Sequence, residues 1–252
     1  MEQFRYPLKN NASINRWRTG SVKKTPFSSP FEKIDVPPNY GEDGVRIVYP
    51  VRKFFLASHD LSGITLPRGP FPLIYFPFER SRVDFSSFIH TPTHLEIEAI
   101  SWVDAPLAGS YPFEVYTNGA IKLWLNGVEL LSFAPFTRSN PGKQEILFPF
   151  NKGLNELRIY ADDIAEREVF FSFELKYIGQ SCLEGVLLLD EGVEEISRAE
   201  RFLKSCYFPK DCFYDGDVIL HHDPAVPPLL LFLARYGAII PAAIQNEIRR
   251  LI

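Results

Sequence analysis

Apolar and polar residues alternate with a period of two across the middle of the chain, and that period predicts strands. The cleanest run places Val169, Phe171, Phe173, Leu175 and Tyr177 on one side and Ser172, Glu174 and Lys176 on the other. One buried face and one wet face is the pattern of an antiparallel sheet. In 94–103, Leu95, Ile97 and Ala99 oppose Glu96 and Glu98, and then Ile100 and Trp102 fall out of phase. A slip of one residue predicts a β-bulge there.

Further strands are expected at 144–150, 156–160 and 183–189, and near the start of the series at 45–49, where Val45, Ile47 and Tyr49 alternate with Arg46 and Val48. A short apolar run follows at 53–57, and 71–78, broken by Pro72 and Pro77, reads as an edge strand. Residues 113–133 contain two Asn-Gly pairs, Asn118-Gly119 and Asn126-Gly127. Asn-Gly favours the positive φ values of a type I′ turn, so the segment reads as a three-strand meander. Residues 193–207, 229–236 and 242–252 carry helical spacing instead.

The predicted fold is therefore mainly β, an antiparallel β-sandwich or jelly roll with a small C-terminal α-helical extension. Its parts are an irregular arm at 1–44, anchored by Trp17 and Phe31, a sandwich at 45–180, and an α-rich extension or start of a second domain at 181–252. The chain stops on Glu247-Ile248-Arg249-Arg250-Leu251-Ile252, which suggests a piece of a longer protein.

Composition sharpens this. The 22 Phe and 11 Tyr suit pleated, half-buried surfaces, and 21 Pro with 15 Gly break the chain often. A net charge of −4 is a poor match to a nucleic-acid backbone, so no nucleic-acid partner is expected. The most apolar stretch, 227–233, is far below the roughly 20 residues of a membrane span. Cys182, Cys206 and Cys212 are an odd number and form no disulfide framework. With no secretory leader legible at the N-terminus, a reducing cytoplasm is the expected compartment.

Trp124, Asn126 and Gly127, followed by Phe150, Gly153, Asn155, Leu157 and Ile159, form a pattern of a Trp-x-Asn-Gly strand, a loop and a Gly-x-Asn corner. It resembles ancillary β-sandwich modules, galactose-binding-like or jelly-roll in fold, of bacterial glycoside hydrolases. The resemblance spans about residues 94–178. It implies a non-catalytic module that binds sugar or packs against a catalytic domain of the same parent protein.

The residues mark a few candidate sites. Ile121, Leu123 and Leu125 share one face of a strand, which puts Lys122 and Trp124 on the other. An outward indole stacks on a sugar ring while Lys122 donates hydrogen bonds; alternatively, another part of the chain covers both. Trp102, near Asp104, Tyr111 and Glu114, joins either a binding surface or the core.

His221, His222 and Asp223 look like metal ligands, but adjacent strand residues point to opposite faces, so no metal site and no cofactor is expected. Asp162, Asp163, Glu166 and Glu168 read as a solvated acidic loop, with calcium the alternative. No Gly-x-Ser-x-Gly elbow or phosphate loop is present, and no pair of acids is marked for glycoside hydrolysis. The functions left are a carbohydrate-binding or structural module, a free-standing jelly-roll hydrolase acting on glycans, and a protein-interaction scaffold.

Overall fold

The structure is a computed structural model that describes residues 2–27, 45–75, 82–89, 91–137, 140–165 and 168–189. The expected helices at 193–207, 229–236 and 242–252 lie outside these residues, as do Phe31, Cys206, Cys212 and the His221–His222–Asp223 run.

Two antiparallel sheets face each other. The larger runs in the order β1 (Glu2–Leu8), β15 (Leu183–Leu189), β7 (Thr93–Ala105), β12 (Gly153–Ala165), β9 (Ala120–Leu125) and β10 (Val128–Phe133). One edge of β7 is shared in turn by β15, β2 (Trp17–Thr19) and β3 (Lys23–Pro26), and β4 (Leu73–Tyr75) pairs with β2. The smaller sheet is β11 (Gly142–Phe150), β8 (Gly109–Thr117), β14 (Ser172–Tyr177) and β5 (Val83–Asp84). Two short strands, β6 (Ser87–Phe88) and β13 (Glu168–Val169), pair beside them.

The core lies between the sheets. Leu95, Ile97, Ala99 and Val103 of β7, Leu157, Ile159 and Ala161 of β12, and Ile121, Leu123 and Leu125 of β9 meet Phe113, Val115, Phe148, Phe173, Leu175 and Tyr177 from the other sheet. The ring of Phe113 is edge-on to Phe148 at 4.6 Å, a favoured aromatic geometry. The alternation of 169–177 survives intact, since all five of its large apolar residues are buried in this core.

Four expectations are corrected. First, residues 2–27 are not an irregular arm: they supply β1, β2 and β3, and Trp17 is buried edge-on to Phe173 at 5.4 Å. Second, Val45–Ser58 is helix α1, not strand. Alternation over residues 45–49, four of them β-branched or aromatic, imitated a strand. The longer period decides, because Val51, Arg52, Phe55 and His59 recur at helical spacing and pack toward the sheet.

Third, β7 has no bulge opposite β12: its pairing runs unbroken from Thr93 to Ala105. Ile100 and Trp102 stay on the outer face, which turns apolar there because Phe71 packs on it and Val186 of the neighbouring β15 lies beside Trp102. The register shift that does exist is in β10, between Glu129 and Leu131.

Fourth, the two Asn-Gly pairs do different work. Asn126 (φ 49°) and Gly127 (φ 84°) make the expected hairpin between β9 and β10. Asn118-Gly119 instead carries the chain from the smaller sheet to the larger. The Asn118 side chain is buried at this corner, where Oδ1 accepts a hydrogen bond from Ser172 Oγ at 2.8 Å.

Asn155 explains the Gly-x-Asn corner. Its Nδ2 donates to Asn151 O and Gly153 O, both at 2.8 Å, and its Oδ1 accepts from Asn151 N at 2.9 Å and Asn126 Nδ2 at 3.0 Å. Asn126 in turn accepts from Glu156 N at 2.9 Å. The two motif asparagines thus knit one end of the larger sheet together.

Candidate functional site

The sandwich has two outer faces, and they differ. On the larger sheet, antiparallel pairing sets Trp124 beside Arg158 and Lys122 beside Tyr160. As the alternation predicts, Trp124 and Lys122 lie opposite the leucine face. Their expected access to solvent is corrected: both are 4% exposed, because residues 59–71, following α1, lie over them. Leu61 and Tyr160 enclose the indole, with Ile64, Leu66 and Phe136 at its margin.

Lys122 Nζ is held by Leu61 O (3.1 Å), Ile64 O (2.9 Å) and the Glu129 carboxylate (3.1 Å), and sits 5.5 Å from the Trp124 ring centroid. A buried ammonium demands such partners. Trp102, at 7% exposure, packs with Phe71, Ile100 and Val186, away from Trp124. The structure therefore brings Trp124 and Lys122 together and leaves Trp102 in a separate cluster.

Further along the same face lies a polar node that the sequence concealed. Asp162 Oδ2 receives His59 Nε2 at 2.8 Å, His94 Nε2 at 2.9 Å and the Tyr160 hydroxyl at 3.2 Å. The Tyr160 hydroxyl also reaches Glu96 Oε1 at 3.1 Å. Asp162 and Asp163 belong to β12 and are buried, so the expected solvated acidic loop is corrected for both. Nothing in local composition marks this node, since His59, His94 and Asp162 come from three distant segments. Among the described residues no group of three or more His, Cys, Asp or Glu is placed to hold a metal ion.

The two aspartates titrate in opposite senses. Burial pushes Asp162 up, but the hydrogen bonds from His59 and His94 outweigh it and leave the carboxyl below its ordinary range. Its stabilising contribution is present above about pH 4 and is lost as pH falls through its lowered pKa. Burial lifts Asp163 from 3.8 to about 6, although Arg52 Nη1 lies 3.4 Å from its Oδ1 and opposes the rise. Asp163 therefore favours the fold most below about pH 4, and that contribution disappears as pH climbs through about 6. Asp163→Asn is expected to flatten the decline in stability between pH 4 and 6 by about 2–3 kcal/mol, measured by urea denaturation across that range.

The outer face of the smaller sheet is open among the described residues. Cross-strand partners share a face, so β14, β8 and β11 present the row Glu174, Tyr116, Lys143 and, beside it, Lys176, Glu114, Glu145. Leu147 and Glu145 are more than half exposed, and Tyr116, Glu114 and Glu174 are half-buried between them and the neighbouring strands. Glu114 takes a hydrogen bond from the Tyr116 hydroxyl at 2.6 Å on one oxygen and from Lys143 Nζ at 2.8 Å on the other. The same two bonds hold Glu114 below the usual carboxylate range, and the bond to Glu114 pushes the Tyr116 phenol up to about 12. Ser13 donates to Glu174 at 2.6 Å along one border of this face. Here a flat ring lies among fixed acceptors and donors within reach of solvent.

Fold and faces together define an antiparallel β-sandwich with one outer face sealed and, among the described residues, the other open. No family model and no curated protein matches the chain. Among solved structures it is similar to an anti-sigma factor domain-containing protein (13% identity, 35% of this chain and 30% of that chain, TM-score 0.28). It is also similar to a β-glucosidase from Kluyveromyces marxianus (15% identity, 55% and 17%, TM-score 0.29) and to a family 35 carbohydrate binding module from Clostridium thermocellum (17% identity, 38% and 88%, TM-score 0.25). The chain thus spans under a third of the first two proteins. At these TM-scores the likenesses carry no inference about ligand or activity.

Proposed function

We propose that the chain is a carbohydrate-binding β-sandwich module without chemistry of its own, and that sugar docks on the open face of the smaller sheet. The observation that carries this reading is Tyr116, set between Glu174 and Lys143 and hydrogen-bonded to Glu114. A pyranose offers an apolar C–H face and a rim of hydroxyls. The ring of Tyr116 meets the first, and Glu114, Glu174 and Lys143 exchange hydrogen bonds with the second. The charged groups are already oriented by one another, so little side-chain freedom is lost on docking. A catalytic domain in the parent protein is the partner this reading implies, and a cytoplasmic location is part of the same proposal.

Isothermal titration with β-linked gluco-, xylo-, manno- and galacto-hexaoses tests it. Binding of at least one hexaose is expected, and Tyr116→Ala is expected to weaken it by about ten-fold, equivalent to about 1.4 kcal/mol. Stability should fall by about 1–2 kcal/mol, from the lost hydrogen bond to Glu114 and the poor strand propensity of Ala in a central strand, which leaves the protein folded for the titration. No heat from any hexaose, or binding indifferent to Tyr116→Ala, overturns the reading.

A further inference from the structure

We propose that residues 59–71 are an intramolecular lid over a second carbohydrate-binding face, formed by Trp124, Tyr160, Lys122 and Arg158, and that the lid regulates access to it. The inference rests on the carbohydrate reading above but concerns the opposite side of the molecule.

The sealed face has the composition of a binding surface rather than of an interlayer core. An interlayer core is expected to be uniformly apolar, as the inner face of the same strands is. This face instead carries an indole, a phenol, an ammonium, a guanidinium and a carboxylate, from Trp124, Tyr160, Lys122, Arg158 and Asp162. The cover over it is of an unusual kind. No residue from 59 to 71 joins a strand, and the segment is held by Leu61, Ile64, Leu66 and Phe71 packed on the face and by side chains of the sheet that donate to its backbone carbonyls. Lys122 takes Leu61 O and Ile64 O; Arg158 Nη1 takes Pro67 O at 2.5 Å; Arg18 Nε takes Phe71 O at 3.0 Å. At the segment's start, His59 is fastened to Asp162.

The lid therefore imitates a ligand. Its carbonyl oxygens stand where sugar hydroxyls would accept from Lys122 and Arg158, and Leu61 stands where a pyranose ring would lie on Trp124. Its other side faces solvent at Ser62, Gly63, Thr65 and Arg68. Among the described residues it is a single layer, and there Gly63 has no neighbour within 4 Å of an added Cβ. Lifting it leaves the core between the sheets intact, and the freed Lys122, Arg158 and Tyr160 gain water as partners. Segments outside the strand ladders, whose backbone is tethered by side chains, open at lower free energy than the whole fold. A closed lid lowers apparent affinity by the fraction of molecules that are open, and loosening it recovers that factor.

The test uses the full chain and two lid variants that leave the face untouched, Leu61→Ala and, at a half-buried position, Ile64→Ala, which serves alone if the first fails to fold. Hydrogen-exchange mass spectrometry is expected to show peptide 59–71 exchanging at least about ten-fold faster than β9 and β12. Titration with the same hexaoses is expected to show about ten-fold tighter binding by the lid variants, accompanied by a change in tryptophan emission. Adding Arg158→Gln should abolish that gain, whereas adding Tyr116→Ala should not. Exchange of 59–71 in one step with β9 and β12 overturns the lid. Binding that Tyr116→Ala removes and that the lid variants leave unchanged overturns the lid alone. An absence of heat with wild type and variants alike overturns the carbohydrate reading and this inference together.

Discussion

Gly119→Ala is expected to destabilise the protein by at least about 3 kcal/mol, more than other small-for-small changes in the sandwich. A Cβ at this corner would lie 1.9 Å from Asp162 O and 2.7 Å from Asp163 Cβ. Neither atom is the far end of a flexible side chain. Both belong to β12, which is paired on one edge with β7 and on the other with β9. Relief would require moving a central strand, and interiors packed this closely do not yield by that much. Urea denaturation reads the loss directly. Gly127→Ala offers the contrast: nothing crowds its Cβ, and the cost there comes only from its left-handed φ of 84°. If Gly119→Ala is milder than Gly127→Ala, the chain does not cross between sheets as described.

Trp124→Ala is expected to cost about 3–5 kcal/mol, the usual range for truncating a buried indole. The ring is enclosed by Leu61, Ala120 and Tyr160, so its removal leaves a void bounded by the lid on one side and the sheet on the other. It also removes the ring beside Lys122. The same change at a solvent-facing tryptophan would cost little, so denaturation of this variant separates a covered indole from an open one. A loss below about 1 kcal/mol would contradict the burial.

Much of the fold was legible because strand alternation records burial on one side. The run 169–177 gave a core face that packs as read, and the Asn126-Gly127 hairpin followed from turn chemistry alone. Two of the readings that failed share a cause: a second layer over the outer face of the larger sheet. That layer made Ile100 and Trp102 apolar on the side expected to be wet, which imitated a bulge. It also buried Trp124 and Lys122, which local spacing could place on a face but not beneath a cover.

Helix α1, part of the same layer, opens with an alternation short enough to pass for a strand, and the helical period is carried by Val51, Arg52 and Phe55, with His59 just past its end. Asn118-Gly119 and Asn126-Gly127 are the same dipeptide, yet one is a hairpin and the other a crossing between sheets. Which partner the next strand finds is a property of the whole topology. The candidate site escaped the sequence reading, which marked Trp124, Lys122 and Trp102 instead. Tyr116 falls on a wet face by alternation, but its neighbours Lys143 and Glu174 arrive from strands on either side, and no spacing along the chain brings them together.

The function proposed here depends on where a sugar touches the protein. Heteronuclear NMR of the labelled chain, titrated with the hexaose that gives the largest heat, addresses this most directly. Shift changes concentrated on Glu114, Tyr116, Lys143 and Glu174 are the expected result. Amides that stay in place across β8, β11 and β14 at saturation would contradict it.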